Sequence, residues 1–111
     1  MLDHAIATWR EQGEQFRDYA DFGRDGFQCT VPGCTARSEL ESHHIVFRSA
    51  GGHDEPTNRT TLCWFHHRQG VHAGRVRIRG QAPDELLFEL GLRPDGPPRA
   101  RDRAGDVLAP T

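Results

Sequence analysis

The stretch "CWFHHRQGVH", residues 63–72, places three histidines and one cysteine within ten positions of the chain. Adjacent histidines such as His66 and His67 are costly to bury, because the ring nitrogens need polar partners. Neutral imidazole is the commonest metal ligand in proteins, so bound metal is one way to satisfy them. Neighbouring side chains on a helix point about 100° apart, which predicts two different ions for this pair. The intervening aromatic residues, Trp64 and Phe65, are expected to pack in the core.

The cysteines indicate a structural zinc site. There are three of them, and an odd number argues against a disulfide framework and for metal binding or free thiols. Cys29 and Cys34 flank the Pro-Gly turn "CTVPGC", and Cys63 precedes His66 by three positions. Three thiolates and one imidazole complete the tetrahedral shell that a closed zinc site uses, and zinc also supplies folding energy to a small domain. The alternative is three separate buried thiols.

A second cluster is predicted from the pair His43 and His44 in "SHHIV". Neighbouring residues of a strand face opposite sides, so only one of the two can reach a metal. His43 and His67 are expected to hold one ion with open positions, with His44 unligated nearby. An unligated imidazole can accept a proton at neutral pH, and an open metal site beside a base is suited to hydrolysis. His72 follows His67 by five residues, about 140° round an ideal helix, and its role as a third ligand stays open.

The pattern of the chain predicts an α+β fold in four parts. Residues 1–23 form an amphipathic helix, residues 24–74 the core with the zinc site, residues 75–92 a β-hairpin and residues 93–111 a flexible tail. The apolar positions that define the helix recur at spacings of three, four or their multiples: Leu2, Ile6, Trp9, Phe16 and Ala20.

The distribution of charge points to an anionic partner. Residues 43–80 contain six arginines and two acidic residues, a local balance of +4, although the whole chain carries −2. Arginine contacts phosphate groups in a bidentate geometry. Arg75, Arg77 and Arg79 alternate along an expected strand, which would place them on one face as part of a DNA-binding track.

The chain carries no sign of a membrane or export role. No apolar run approaches the ~20 residues that span a bilayer, and "MLDHAIATWREQG" contains acids and no basic region typical of a secretory signal. The sequence therefore predicts a cytoplasmic protein with no membrane partner. Its oligomeric state stays open, with a monomer favoured.

The run "RDGFQC…C…LESHHIVFRSAGG…NRTTLCWFHHRQGVHAG", within residues 24–74, resembles the HNH endonuclease family of the ββα-metal (His-Me finger) fold. The family's first histidine motif matches the pair at 43–44, its central asparagine matches Asn58 and its final histidine matches His67. The zinc ligands of the metal-stapled subgroup match the three cysteines, with His66 in place of the usual fourth cysteine. Many relatives have aspartate where His43 stands, and many have a further histidine four residues after the last motif histidine.

The resemblance implies a metal-dependent endonuclease that hydrolyses DNA phosphodiester bonds. His44 would be the general base, and His43 and His67 would hold one Mg²⁺ or Mn²⁺ ion for catalysis, beside the structural Zn²⁺. Asn58 would tie down the loop that orients the base. The main alternative is a zinc-stapled nucleic-acid-binding module without cleavage activity. A metal-binding interaction domain without a nucleic-acid partner is a third, which the local positive charge disfavours.

Overall fold

The computed structural model of the protein describes residues 16–103, an α+β arrangement with two antiparallel sheets. Two short 3₁₀ turns, Arg48–Ala50 and Pro56–Asn58, lie in the loop between the first two strands. The main elements in chain order are a helix over residues 16–24 (α1), β1 Leu40–His44, β2 Arg59–Cys63, a π-helix Phe65–Val71, β3 Val76–Gln81, β4 Glu85–Leu90 and β5 Ala100–Arg103. Within residues 16–103, no helix has the length and apolar character needed to cross a membrane.

The first sheet consists of β1 and β2, paired antiparallel from Leu40 opposite Cys63 to His44 opposite Arg59. The residues of β2 are all buried, because the strand lies between the rest of the core and α1. Strand alternation then places His43 in the interior, 2% exposed, and His44 on the opposite side. Pairing of these two strands therefore decides which of the two adjacent histidines is buried.

The second sheet has the strand order β3-β4-β5, and β3 and β4 form the hairpin that the alternating pattern predicts. Val76 and Ile78 face the core, whereas Arg77 and Arg79 are exposed on the other face. The largest fully buried apolar side chains are contributed by both sheets: Phe88, Leu62 and Leu86. The two sheets thus share one core.

The segment after Arg93 differs from the flexible tail that its composition predicts. Residues Ala100–Arg103 form β5 and pair antiparallel with β4, with Leu90 opposite Ala100 and Leu87 opposite Arg103. A polar segment can add to a sheet because the strand edge supplies backbone donors and acceptors regardless of side-chain hydrophobicity. The prediction of a tail from residue 93 is therefore wrong for β5, and residues 104–111 lie outside the described part.

The helix after β2 is a π-helix rather than an α-helix. Backbone bonds run from His72 N to His67 O at 3.1 Å and from Arg75 N to Gly70 O at 2.8 Å, a five-residue spacing. Gly70 lies against β3, where a Cβ atom at this position would come within 3.1 Å of Val76 Cγ2. The small residue lets the helix approach the second sheet closely.

Two expectations about aromatic and apolar packing are wrong. Phe16 is 76% exposed and Ala20 is also exposed, so the described part of α1 does not bury the predicted apolar face. Trp64 and Phe65 are 39% and 56% exposed rather than packed in the core. The buried side chain of α1 is instead Asp21. The helical positions Leu2, Ile6 and Trp9 lie outside the described residues.

A buried ion pair explains the orientation of α1. Asp21 and Arg59 are 4% and 3% exposed, and Arg59 Nε donates to Asp21 Oδ2 at 2.6 Å. A second bond runs from an Arg59 terminal nitrogen to Asp21 Oδ1 at 3.3 Å. Asp25, near the end of the same helix, accepts bonds from the Thr61 backbone and hydroxyl. Polar contacts with β2, rather than an apolar stripe, therefore attach α1 to the core.

We predict that Asp21→Ala destabilises the fold by about 3 kcal/mol, because it leaves the buried Arg59 guanidinium without its main carboxylate partner. Asp84→Ala, in the exposed turn between β3 and β4, is the matched control and should change the free energy of unfolding by less than about 0.5 kcal/mol. Urea denaturation measures both variants. Equal effects of the two substitutions would contradict a structural role for the ion pair.

Candidate metal centres

Three cysteines and one histidine meet beside the first sheet, as the spacing predicts. Cys29 and Cys34 lie on the turn before β1, Cys63 is the last residue of β2 and His66 lies in the first turn of the π-helix. The ligand atoms of all four residues lie within 4.8 Å of one another. We refer to this set as the Cys₃His cluster.

The geometry of the Cys₃His cluster fits a tetrahedral ion. His66 Nδ1 lies 3.3 Å from Cys63 Sγ and 3.6 Å from Cys29 Sγ. Tetrahedral zinc, with bonds of about 2.3 Å to sulfur and 2.0–2.1 Å to nitrogen, separates the two ligand types by about 3.5 Å. Burial raises the pKa of the Cys29 thiol to about 12, so a cation is needed to stabilise its thiolate. The cluster could hold a metal such as zinc.

A second group of imidazoles lies on the other side of the π-helix. His43 from β1, His67 from the π-helix and His72 just after it have ligand nitrogens within 4.8 Å of one another. His67 Nε2 and His72 Nε2 are 3.2 Å apart. The structure therefore brings together the two residues predicted for this site and the third that the sequence left open. We refer to them as the His₃ cluster.

The π-helix accounts for the presence of His72. In an α-helix, residues five apart do not share a face, but the hydrogen bonds of a π-helix join residues i and i+5. The bond from His72 N to His67 O is one of these, so the two imidazoles lie above one another. Their ring centroids are 4.7 Å apart.

The protonation state of the His₃ cluster suits metal binding. Burial, reinforced by the charges that the neighbouring histidines would carry, lowers the pKa of His43 to about 3. Burial also lowers the pKa of His67, although the carboxylate of Glu41 opposes the shift. Both rings are therefore held in the neutral form, in which one nitrogen of each has a lone pair for a cation.

Glu41 orients one of these rings and was not identified from the sequence. Its Oε1 lies 3.1 Å from His67 Nδ1, which leaves Nε2 of that ring for the cluster. Two bonds from Arg68 and the bond with His67 lower the pKa of the Glu41 carboxyl, so it is ionised at neutral pH. Strand alternation places Glu41 on the same side of β1 as His43, a signal that could have revealed it.

His44 lies outside the His₃ cluster and has a carboxylate partner of its own. Its Nε2 is 2.8 Å from Asp54 Oδ1, and its Nδ1 makes no hydrogen bond to any residue between 16 and 103. Asp54 also pairs with Arg17 and Arg48. The bond with His44, followed by these arginines, lowers the pKa of the Asp54 carboxyl to about 2. Asp54 belongs to the loop between β1 and β2, where no periodicity marks a functional position, and sequence reasoning missed it.

Asn58 closes the loop that carries Asp54. Its side chain is buried and donates to the backbone oxygens of Val46 at 3.1 Å and His53 at 2.7 Å. The backbone nitrogen of Val46 donates to Asn58 Oδ1 at 2.9 Å. The asparagine therefore holds both ends of the loop in place. His53 itself is exposed, and His4 lies outside the described residues.

The His₃ cluster opens into a cleft of about 240 Å³ that also contains the ring of His44. Phe47 forms one wall and stacks on His72, with ring planes 17° apart and centroids at 5.9 Å. Arg48, with its side chain 58% exposed, lies at the cleft. The arrangement combines neutral imidazoles, one imidazole paired to a carboxylate and a cation at one solvent-accessible surface.

No family model, curated protein or solved structure matches the chain.

We predict one tightly held zinc ion per chain, bound by the Cys₃His cluster, that survives dialysis against magnesium buffer. Cys29→Ala should lose the zinc and the cooperative melting transition, because the metal supplies folding energy to this small core. Thr35→Ala, at an exposed position beside Cys34, is the control and should retain both. Elemental analysis and circular dichroism measure the outcome. A zinc-free Cys29→Ala protein with a sharp, unshifted melting transition would contradict the assignment.

Proposed function

We propose that the protein is a metal-dependent DNA endonuclease of the HNH type. The observation that carries the proposal is the pairing of His44 with Asp54 beside the His₃ cluster, in a cleft open to solvent. Two antiparallel strands followed by a helix support the ββα-metal core that the resemblance implies. A binding module has no need for three clustered imidazoles and a separate base at one surface.

In this proposal, His43, His67 and His72 hold the catalytic ion. The three imidazoles suit a first-row transition ion better than Mg²⁺, which prefers oxygen ligands, so we favour Mn²⁺ of the two expected ions. When bound, such an ion supplies positive charge that stabilises the phosphate transition state and the leaving oxygen. Glu41 fixes the ring of His67 so that its Nε2 points into the cluster.

His44 acts as the general base. Asp54 accepts a hydrogen bond from the Nε2–H group, and this tautomer leaves a lone pair on Nδ1. Nδ1 then takes a proton from the attacking water molecule, and the ionised Asp54 carboxylate stabilises the imidazolium that forms. Asn58 maintains this geometry by holding the loop between the histidine and the aspartate.

DNA is the proposed substrate because an exposed arginine lies beside the histidines of the cleft. Arg48 lies at the cleft and can contact a phosphate next to the one that is cleaved. A domain of this size offers few elements that could read base edges, so we propose cleavage with little sequence preference.

Incubation of supercoiled plasmid with the purified protein and Mn²⁺ tests the proposal, and we expect nicked and linear products. His44→Ala should reduce cleavage by about 10²–10⁴-fold, the usual contribution of a positioned base, with zinc content and DNA affinity unchanged. His67→Ala should also abolish cleavage, and excess Mn²⁺ should partly restore it because the loss lies in metal affinity.

His53→Ala, at an exposed position in the same loop, is the control and should cut at the wild-type rate. If His44→Ala also cuts at that rate, the proposed base is wrong. If the wild type binds DNA but does not cut it, whichever divalent ion is added, the protein is the zinc-stapled binding module instead.

We predict that Asp54→Asn lowers the turnover rate by about 10²–10⁴-fold with little change in KM, because the carboxylate that fixes the tautomer of the general base is lost. The asparagine amide can donate to Nε2, which favours the wrong tautomer of His44. Asp54→Glu should recover part of the activity, whereas a purely structural defect would not be rescued by a longer carboxylate. Glu55→Gln, the adjacent exposed acid, is the control. Single-turnover cleavage at matched DNA saturation distinguishes these outcomes.

A further inference from the structure

Three arginines surround one buried carboxylate on the outer face of the second sheet. The strand register places Arg77 of β3 and Arg101 of β5 directly opposite Glu89 of β4, on its two sides. Arg79 lies two residues further along β3, on the same face. The side chain of Glu89 is only 4% exposed, although it points away from the apolar core. We refer to the three arginines and Glu89 as the arginine platform.

Each arginine of the platform uses the same atom to contact the carboxylate. The Nε atoms of Arg77, Arg79 and Arg101 lie 2.8, 3.1 and 3.4 Å from the nearest Glu89 oxygen. Among residues 16–103, no acceptor takes a hydrogen bond from their terminal guanidinium nitrogens. The side chains are 48%, 56% and 60% exposed. The outward edge of each guanidinium, which is the edge that chelates phosphate oxygens, therefore faces solvent.

Charge neutralisation does not account for three arginines. The bond from Arg77 is the main cause of the lowered pKa of the Glu89 carboxyl, and one guanidinium is sufficient to compensate one carboxylate. The platform therefore carries a net charge of about +2 on a surface where like charges repel. Glu89 holds the three side chains together in spite of that repulsion, which reduces the conformational entropy lost when an anion binds.

The platform adjoins the cleft that contains the histidines. Arg77 and Arg79 line a groove of about 380 Å³ between β3 and the loop after β1. Phe47 is a wall of this groove and also a wall of the cleft at the His₃ cluster. A polyanion seated at the histidines can therefore continue past Phe47 onto the arginines.

We propose that the arginine platform binds the phosphate backbone of duplex DNA and fixes the duplex on the protein away from the cleaved bond. The inference rests on the proposed nuclease function and adds a binding surface outside the ββα core. Its members differ from the track expected from the sequence. Arg101 of β5 belongs to the platform because it contacts Glu89, whereas Arg75 does not belong to it because it precedes β3. The contacts are to phosphate, so the surface contributes affinity and orientation rather than sequence specificity.

The test is the salt dependence of binding to a short DNA duplex, measured in a His44→Ala background so that the DNA stays intact. Arg79→Ala combined with Arg101→Ala removes two guanidiniums and keeps the Arg77–Glu89 pair, so the buried carboxylate retains a partner. Each lost phosphate contact lowers the slope of log K against log salt by about 0.9, so we expect a slope shallower by about 1.8.

Arg37→Ala combined with Arg93→Ala removes the same charge from residues that make no contact with Glu89, and the slope should stay at its original value. Equal slopes for the platform and control variants, or no DNA binding by the parent protein, would overturn the inference. If the wild type cuts DNA but the two variants have equal slopes, the platform is rejected and the proposed nuclease function stands. If the platform variant has a shallower slope but the wild type never cuts DNA, the platform is supported and the nuclease function is rejected.

Discussion

The pairing of β1 with β2 is the constraint on which both candidate metal centres depend. Its register places Cys63 of the Cys₃His cluster opposite Leu40 and His43 of the His₃ cluster opposite Thr60, so the sheet contributes a residue to each cluster. A slip of one residue would exchange the faces of β1, bringing His44 to the interior and His43 to the Asp54 side. The buried Arg59, tied to Asp21 of α1 and to the Asp54 backbone, resists such a slip because its partners are fixed in space.

The π-helix couples the two metal centres across a single turn. His66 contributes to the Cys₃His cluster and the next residue, His67, to the His₃ cluster. A metal bound by Cys63 and His66 would fix the junction between β2 and the helix, and with it the position of His67. The two clusters differ in metal chemistry, since thiolates select zinc whereas the three imidazoles line a cleft at the surface.

Sequence patterns with a strict geometric period predicted much of this structure. The α+β class, the β3–β4 hairpin and the Cys₃His cluster follow from alternation and from ligand spacing. Strand alternation also separates His43 from His44. Each of these inferences needs only local geometry, because the period of a strand or the spacing of ligands is the same wherever the segment packs.

The remaining features depend on tertiary contacts that no local period encodes. The ion pair joins Asp21 and Arg59, which are far apart in the chain. It turns a different face of α1 inward and leaves Phe16 exposed. The five-residue spacing from His67 to His72 fits a π-helix but not the α-helix that propensity favours. Strand β5 has no apolar alternation and is defined by backbone pairing with β4.

Two carboxylates bind different nitrogens of two imidazole rings, and each carboxylate thereby selects a different tautomer. Glu41 occupies Nδ1 of His67 and leaves Nε2 for the His₃ cluster, whereas Asp54 occupies Nε2 of His44 and leaves its Nδ1 without a hydrogen bond to any residue between 16 and 103. Hydrogen bonding thus selects the tautomer, and the tautomer decides where the lone pair points. The bond with Arg68 lowers the pKa of Glu41, and the bond with His44, followed by those with the arginines, lowers the pKa of Asp54, so both carboxylates stay ionised. The same pairing recurs at Glu89, where the arginines rather than the carboxylate face solvent. Acidic residues therefore orient the cations and imidazoles in this region, and those groups form the surface on which the proposed phosphate-bearing partner would bind.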